Sequence, residues 1–271
     1  MKYLKLPNFL RPQYKTILKR LGKENDGGYN IPLECIKDTS HLYSFGMYDD
    51  WSFESDFHKK NPKANIIVFD KSVSLFFWFK RLIKSFLYFI TRKISFSEFT
   101  KSLFTYFNYK LFFFKKRRTH IRKFVNSYKD SSQISGNKKD FININEILNK
   151  WSYKNFFLKI DIEGAEYKIL DDIIDNQENL LGMVIEFHDC DLMSEHIKNF
   201  INKMKLNLVH IHVNNFGEVN QNRFPRVLEL TFSKSKYNEK RSIDDNLFPD
   251  PNIDQPNNVK QKDLGIEFSD E

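Results

Sequence analysis

Cysteine is scarce in this sequence of 271 residues, which contains only Cys35 and Cys190. Two cysteines are too few for a disulfide framework, and no second pair is present to complete a structural zinc site. The amino-terminal residues also lack the apolar stretch and small-residue cleavage site of a secretory signal. These absences favour a reducing compartment, and we expect a cytoplasmic protein.

Long uncharged apolar runs are missing as well. A membrane-spanning helix needs about 18 or more nearly uncharged apolar residues, and basic residues interrupt every candidate stretch (Lys80, Arg81, Lys84 and Arg92). The sequence therefore predicts no transmembrane helix. Hydrophobic residues make up 41% and charged residues 29% of the chain, which excludes wholesale disorder and fibrous repeats. We expect one packed domain with insertions.

Acidic residues are nearly absent from one segment, 73–125. It carries thirteen lysines and arginines and one acid, Glu98, whereas the whole chain has a formal net charge of +8. It also holds seventeen of the 43 aromatic residues. The rest of the protein is therefore mildly acidic. Nucleic-acid binding is the least favoured function, because the Phe-rich helical patterns lack the glycine-punctuated strands of known stacking platforms.

Two helices are predicted in this basic segment, over 75–94 and 98–114. In the first, polar and apolar residues recur on opposite faces at helical spacing. One interpretation is a peripheral contact through 73–118 with an anionic membrane surface, which a basic amphipathic helix suits. The other is that the two helices pack on each other as a lid or a dimer contact, with the basic residues solvated.

Elsewhere, short β-branched apolar runs alternate with helical patterns, which is typical of strand–helix–strand units in a parallel sheet. The predicted strands are 41–46, 65–69, 156–160, 182–187, 208–213 and 227–232, with a further strand near Ile121–Val125, and the predicted helices are 51–60, 165–174 and 192–204. The polar connection between the last two strands predicts an antiparallel edge. From Ser235 onward the chain is polar and contains prolines, which predicts an extended tail.

The first candidate site follows the first two strands. Gly46 lies in a turn after one strand, and Asp70 ends the next, about where a carboxylate can accept both hydroxyls of an adenosine ribose. The turn lacks the G-x-G-x-x-G pattern that a pyrophosphate needs, so a dinucleotide is disfavoured. The alternatives are a simple turn glycine and a solvated strand-end acid.

Further carboxylates follow the next two strands. Asp161, Glu163 and Glu166 surround Gly164, and the segment EFHDCD contributes another group (Glu186, His188, Asp189 and Asp191). Together these groups could position a hydroxyl, take its proton or hold a divalent cation. The alternatives are a structural histidine, an acid at Glu166 that only favours a helix start, and Asp191 as a helix cap.

Several segments are similar to one known family. They are DGGY (26–29), LYSFGMYDDWSFE (42–54), FD (69–70), FLKIDIEGAEYKIL (157–170), IEFHD (185–189), HIHVNNFG (210–217), LELTF (228–232) and DQPNN (254–258). With these motifs the chain resembles the FkbM-type methyltransferases, a branch of the class I S-adenosylmethionine-dependent enzymes. The resemblance covers most of the chain but not 73–120.

The resemblance implies an α/β, Rossmann-like class I methyltransferase fold. Its sheet would have seven mostly parallel strands with one antiparallel strand and helices on both faces, plus a helical insertion after the second strand. It also implies a division into an N-terminal segment with the DGGY element (1–40), a methyltransferase domain (41–235) interrupted by the insertion (73–120), and a polar tail (236–271).

The resemblance also assigns roles to residues. Gly46, Asp70 and Asp161 would bind S-adenosylmethionine, and Glu163, Glu186 and His188 would face the acceptor, a hydroxyl of a sugar, glycan precursor or other small molecule. A polar wall near the acceptor would comprise His212, Asn214 and Asn215. Members of the family with known roles generally methylate hydroxyls of sugars or polyketides.

The expected reaction is an in-line displacement in which the protein aligns the reactants and removes the hydroxyl proton. Either His188 or Glu163 is the candidate base. A Mg²⁺ ion held by Asp161, Glu186 or Asp189 would instead lower the pKa of the hydroxyl. The alternative function is a catalytically inactive methyltransferase fold that acts as a binding or membrane-surface module.

Overall fold

The structure, a computed structural model, describes residues 2–127, 137–150, 154–242 and 248–269. In chain order, the strands are β1 (Lys2–Pro7), β2 (Tyr14–Lys15), β3 (Leu18–Gly22), β4 (Gly28–Pro32), β5 (His41–Phe45), β6 (Asn65–Phe69), β7 (Arg118–Ile121), β8 (Phe124–Asn126), β9 (Phe141–Asn143), β10 (Phe156–Ile160), β11 (Leu180–Phe187), β12 (Asn207–Val213), β13 (Leu228–Ser233), β14 (Glu239–Lys240) and β15 (Leu264–Ser269). The α-helices are α1 (Leu33–Asp38), α2 (Ser52–Lys60), α3 (Leu75–Ile90), α4 (Phe96–Phe114), α5 (Ile144–Lys150), α6 (Leu170–Asp175) and α7 (Cys190–Lys203).

A seven-stranded sheet organises the molecule, in the order β12-β13-β11-β10-β5-β6-β7. The pairs β11·β10, β10·β5, β5·β6 and β6·β7 are parallel. Strand β13 is antiparallel to both of its neighbours, β11 and β12. The expected sheet, mostly parallel with one antiparallel strand, is therefore confirmed. The antiparallel strand lies one position inside the edge, because β12 forms the edge itself.

Most element positions agree with the periodicity of the sequence, but two differ. The strand expected near Ile121–Val125 is in fact β7, a few residues earlier, so the sheet resumes at Arg118, inside the segment 73–120 that was assigned to the insertion. The short strand β8 pairs with β9 in a separate sheet. The helix expected over 165–174 is divided into a 3₁₀ turn at Glu166–Lys168 and α6.

Each face of the sheet has its own apolar core, because alternate strand residues point to opposite faces. In β6, for example, Ile67 and Phe69 belong to one core and Ile66 and Val68 to the other. Residues from α5, α6 and α7 complete the first core, and residues from α1, α2 and α3 complete the second. Helices therefore cover both faces, as expected.

One face of the sheet becomes polar toward the β12 edge, and two segments cover it. Asn30 of β4 and Asp254 approach His210, with Asp254 Oδ1 2.8 Å from His210 Nε2. Asn257 donates to the Glu229 carboxylate at 2.8 Å. The described part of the segment after Ser235 thus differs from the extended tail that its composition predicts, because its polar residues pair with buried polar groups of the sheet.

Helices α3 and α4 form an antiparallel hairpin between β6 and β7. Ser74 caps the first helix, and Ser95 with Glu98 forms a capping box at the start of the second. Stacked rings of Phe89 and Phe99, with centroids 5.5 Å apart, join the helices near the turn. Within the part of the chain that the structure describes, no helix combines the length and hydropathy needed to span a bilayer.

Candidate active site at the carboxyl edge of the sheet

Gly46 follows β5 in a conformation, and at a distance from β10, that only glycine permits. Its φ is +80°, and a Cβ at this position would lie 1.7 Å from the carbonyl oxygen of Asp161. The turn after β5 therefore lies directly against the end of β10. This close approach brings the first predicted site region beside the second.

Asp70 holds the same turn in place. One oxygen of its carboxylate accepts hydrogen bonds from the backbone N–H groups of Met47 and Tyr48 at 2.9 and 2.7 Å. The other accepts from the N–H and the hydroxyl of Ser72 at 2.7 and 2.6 Å. Burial of Asp70 opposes its ionisation, but these four hydrogen bonds prevail and lower its pKa. Since a carboxylate offers about four acceptor positions, Asp70 is saturated in this state.

Lys159, which the sequence analysis did not single out, lies at the centre of the site. Its buried ammonium donates to the Gly46 carbonyl at 2.7 Å and to the Asp161 carboxylate at 3.3 Å. Burial alone would lower the pKa of Lys159, but the nearby carboxylates of Asp161, Glu54 and Glu186 raise it. Lys159 is therefore a fixed positive charge among three acids.

Tyr29, from the DGGY element, links the ends of β10 and β11. Its hydroxyl lies 3.0 Å from Asp161 Oδ2 and 2.9 Å from Glu186 Oε2, so its one proton is shared between two acceptors. Asn214 donates to the other oxygen of Glu186 at 3.0 Å. Burial and the charges of Asp161 and Glu229 raise the pKa of Glu186 well above its ordinary value. Glu186 thus takes up a proton more readily than a solvated glutamate.

His188 lies between acids contributed by the connection after β10 and by strand β11. Its Nδ1 is 3.1 Å from the fully buried Glu166, and its Nε2 is 3.5 Å from Glu163 and 3.8 Å from Glu186. Burial opposes the charged form, but Glu166 and Glu186 outweigh it and raise the pKa of His188 to about 9. His188 is therefore an imidazolium at neutral pH, so it is a hydrogen-bond donor there and not a base.

The site opens into two adjoining cavities that share Glu163. The inner cavity is strongly acidic, with two lysines and seven carboxyl side chains in its lining (Asp26, Asp49, Asp50, Glu54, Asp161, Glu163 and Glu186). The outer cavity is lined by His188, Phe216 and Arg226 among others. Asp189 pairs with Arg226 at the outer cavity, so it does not join Asp161 and Glu186 in the metal site suggested by the sequence.

Asp161, Glu186 and His188 have ligand atoms within 4.8 Å of one another. Such a set could hold a metal ion in principle. However, the Lys159 ammonium is already 3.3 Å from Asp161, and a metal would require the neutral imidazole that the neighbours of His188 disfavour. The cluster therefore carries its own compensating cations.

The polar wall expected from His212, Asn214 and Asn215 is only partly at the site. Asn214 contacts Glu186, but His212 is buried between Glu229 and Asp263, at 3.2 and 3.1 Å. Asn215 donates to the carbonyl of Asn258. His212 and Asn215 thus hold the segment after residue 248 against the sheet. Asp191 lies in the first turn of α7, whose N-cap is Asp189.

Lys159 and Glu54 are the residues that sequence reasoning missed. Lys159 is a charged residue inside the apolar run FFLKI, two positions after the core residue Phe157 and so on the same face of the strand. That placement is the signal that could have found it, since lysine is almost never buried without a partner. Glu54 gives no comparable signal, because it lies in a helical segment with other polar residues.

Comparisons with known proteins add little to this geometry. No protein-family model matches the sequence, and no curated protein matches it. Seventeen chains of solved structures match. One is precorrin-6Y C5,15-methyltransferase from Geobacter metallireducens GS-15, with 12% identity over 74% of this chain and 86% of that chain and a TM-score of 0.36. A chain of a fibrillarin/Nop5p complex has 10% identity over 86% of this chain and 100% of that chain, with a TM-score of 0.34.

The strand order itself identifies the fold. The sheet has six parallel strands and one antiparallel strand, which is inserted next to one edge. With helices on both faces, this is the arrangement expected from the resemblance. The polar cluster lies at the carboxyl ends of β5, β10 and β11, where ligands bind in open α/β sheets. The chain has the Rossmann-like fold of the class I methyltransferases.

Proposed function

We propose that this protein transfers a methyl group from S-adenosylmethionine to a hydroxyl oxygen. The observation that carries the proposal is the inner cavity, where seven carboxyl side chains against two lysines lie at the carboxyl edge of a methyltransferase-type sheet. S-adenosylmethionine presents a sulfonium and an ammonium group, and an acidic, partly desolvated cavity attracts both charges. The crowded carboxylates also gain from a bound cation, which relieves their mutual repulsion.

Gly46, Asp70 and Asp161 are the residues we assign to the cofactor. Asp161 accepts hydrogen bonds from Tyr29 and Lys159 and lines the inner cavity. In this proposal the sulfonium would bind beside it. Asp70 has its acceptor positions filled by Met47, Tyr48 and Ser72. Binding of the ribose therefore requires that its hydroxyls replace the Met47 and Tyr48 N–H groups, with an opening of the turn after Gly46.

Glu186 is the base that the electrostatics favour. A carboxylate whose pKa is raised by burial accepts a proton more readily at neutral pH, whereas His188 is already protonated there. S-adenosylmethionine would supply an electrophilic methyl group, which the acceptor oxygen would take in line with release of S-adenosylhomocysteine, and Glu186 would accept the hydroxyl proton. His188 and the exposed Glu163 orient the acceptor by hydrogen bonds.

The acceptor class we propose is a sugar or glycan precursor. The outer cavity combines an exposed ring, Phe216, with the charged groups Glu163, His188 and Arg226. An aromatic face suits the C–H face of a pyranose, and charged hydrogen-bonding groups suit its hydroxyls. The resemblance to FkbM-type enzymes, carried by FLKIDIEGAEYKIL (157–170), points to the same class.

Calorimetric titration of the intact protein with S-adenosylmethionine tests the cofactor assignment. Asp161→Asn should weaken binding at least tenfold, whereas Asp175→Asn, an exposed acid at the end of α6, should leave the affinity unchanged. Glu186→Gln should then lower methyl transfer to a hydroxylated sugar panel by about 10²-fold or more while sparing cofactor affinity. No binding of S-adenosylmethionine by the unaltered protein would favour the inactive binding module instead.

A further inference from the structure

Helix α3 exposes an uninterrupted apolar stripe. Leu75, Phe76, Phe79, Ile83, Phe86 and Ile90 are all exposed, with Phe79 62% accessible. At about 100° per residue these six side chains fall within roughly a third of the helix circumference. Monomeric soluble proteins rarely expose large contiguous apolar patches, and such patches mark sites that bind a protein, a membrane or a ligand.

Helix α4 exposes a second stripe. Its members are Phe96, Phe104, Phe107, Leu111 and Phe114, the last 91% accessible. They span about a quarter of the helix circumference. On each helix, the stripe lies about a third of a turn away from the residues that contact the other helix, and the direction of this rotation along the chain is the same. Because the two helices are antiparallel, the two stripes therefore face the same side of the hairpin.

Basic side chains border this two-stripe face. Lys80 and Lys84 follow the α3 stripe at one side, and Lys101 and Lys110 flank the α4 stripe; all four are exposed. From Leu75 to Phe114 the hairpin has seven lysines and arginines against the single acid Glu98. An apolar face with a basic rim is the pattern of a helix that lies in the headgroup region of an anionic bilayer.

The other side of the hairpin is fixed to the domain. Trp78 is buried against Trp51 of the domain, with ring centroids 6.4 Å apart, and against Tyr109 of α4, at 5.1 Å. Arg81 pairs with Asp49, and the rings of Phe77 and Tyr48 meet edge to face at 5.3 Å. Tyr48 and Asp49 also line the inner cavity. The hairpin is thus anchored next to the candidate active site, while its apolar face points outward.

We propose that the α3–α4 hairpin docks this protein onto an anionic lipid surface. The stripe residues would enter the headgroup boundary, and the bordering lysines would pair with lipid phosphates. The charge of the hairpin favours a lipid surface over a second copy of this protein. Two copies of a hairpin with six excess positive charges repel each other, whereas anionic lipids attract the hairpin. The inference stands independently of the proposed methyl transfer, and the contact at Tyr48 places the cavity close to the membrane plane.

Co-sedimentation of the full chain with vesicles tests the proposal. Vesicles of phosphatidylcholine mixed with phosphatidylglycerol should bind the protein, high salt should weaken the binding, and pure phosphatidylcholine should bind far less. The pair Lys80→Gln and Lys84→Gln should lower partitioning about fivefold per charge removed. Phe76→Ser with Phe79→Ser should lower it at least tenfold for each ring.

Matched controls separate this surface from general effects. Lys260→Gln with Lys262→Gln removes the same charge from exposed positions elsewhere, and Leu192→Ser removes an exposed apolar side chain from α7. Both controls should bind vesicles like the unaltered protein, and thermal melting should show that all variants are folded. The proposal is overturned if anionic vesicles bind no protein, if the hairpin variants bind unchanged, or if Phe79→Ser only dissociates a dimer that does not bind lipid.

Discussion

Lys159 sets the charge balance of the candidate site at the scale of a single residue. It is 5% exposed and faces the carboxylates of Glu54, Asp161 and Glu186. Removal of one partner from a buried charge cluster leaves the others uncompensated, which is more costly than the loss of a surface ion pair. The structure thus predicts a large effect from a residue that a pattern search would assign to the core of a strand.

Lys159→Met should destabilise the protein by about 3–5 kcal/mol at neutral pH. Burial already raises the pKa values of Glu54 and Glu186 above their unfolded values, and loss of the ammonium should raise them further. For such carboxyls, the contribution to stability is fully present below their unfolded pKa values and is lost as pH rises through their folded pKa values. Urea unfolding at neutral and mildly acidic pH should therefore show that the variant and the unaltered protein differ less in unfolding free energy at the acidic pH. Lys23→Met, at an exposed ion pair with Asp50, should cost less than about 1 kcal/mol.

His188 should make stability depend on alkaline pH. Its folded pKa of about 9 is above the ordinary 6.5, chiefly through Glu166 working against burial. The stabilisation is therefore complete below 6.5 and is lost as pH rises through about 9. Its size is about 3 kcal/mol. The difference in unfolding free energy between the natural protein and His188→Gln should shrink by this amount as pH rises through the window; a constant difference would contradict the ion pair with Glu166.

The sequence alone located the acids of the site but not their protonation. Glu186 lies at the carboxyl end of an apolar strand, and Asp161, Glu163 and His188 come soon after such strands. Parallel strands bring their carboxyl ends to one edge of the sheet, so the proximity of these residues was predictable. The state of His188 depends on Glu166, which folds back from the 3₁₀ turn and accepts the N–H groups of Ile162 and Gly164. Such a contact arises from loop geometry and leaves no periodic signal.

At the scale of elements, the turn after β5 is the feature that joins two halves of the site. Gly46→Ala should force the turn away from β10, since the new Cβ would lie 1.7 Å from a backbone oxygen. The expected results are a loss of more than about 2 kcal/mol of stability, beyond the usual cost of a left-handed alanine, and at least tenfold weaker binding of S-adenosylmethionine. Chemical denaturation and calorimetry measure the two effects.

Gly164 provides the matched control for this turn. Its φ of +94° is also left-handed, but a Cβ there meets no atom within 4 Å. Gly164→Ala should therefore carry only the conformational cost of about 1–2 kcal/mol. Equal effects at the two glycines would show that the close approach of Gly46 to Asp161 is unimportant.

Secondary structure was largely predictable because the buried strands are short apolar runs with sharp polar ends, such as 65–69 and 156–160. Strand β7 (RTHI) is basic and polar, so no apolar run marks it, and only its parallel pairing with β6 makes it a strand. Strand β15 does have alternating apolar residues (Leu264, Ile266 and Phe268), but they follow a polar, proline-containing segment, and the partner strand β1 lies at the other end of the sequence.

At the scale of the whole molecule, the segment after residue 248 belongs to the folded core, although its composition resembles a tail. Phe248 is 2% exposed, and its ring contacts His210 and Phe268 with centroids 5.7 and 5.9 Å apart. Asp254 and Asp263 pair with two histidines of β12. Buried polar groups on the sheet therefore require this segment as their partner.

Phe248→Ala should accordingly destabilise the protein by about 3–5 kcal/mol, the usual cost of removing a buried ring. Val259→Ala, in the same segment but 67% exposed, should change the free energy of unfolding by no more than about 0.5 kcal/mol. Both values come from denaturant unfolding followed by circular dichroism. If the segment were an extended tail, the phenylalanine would be solvated and both substitutions would be silent. A large loss of stability for Phe248→Ala alone would show that the segment after residue 248 packs on the sheet. The polar face of the sheet beside Glu186 is then complete only when this segment covers it.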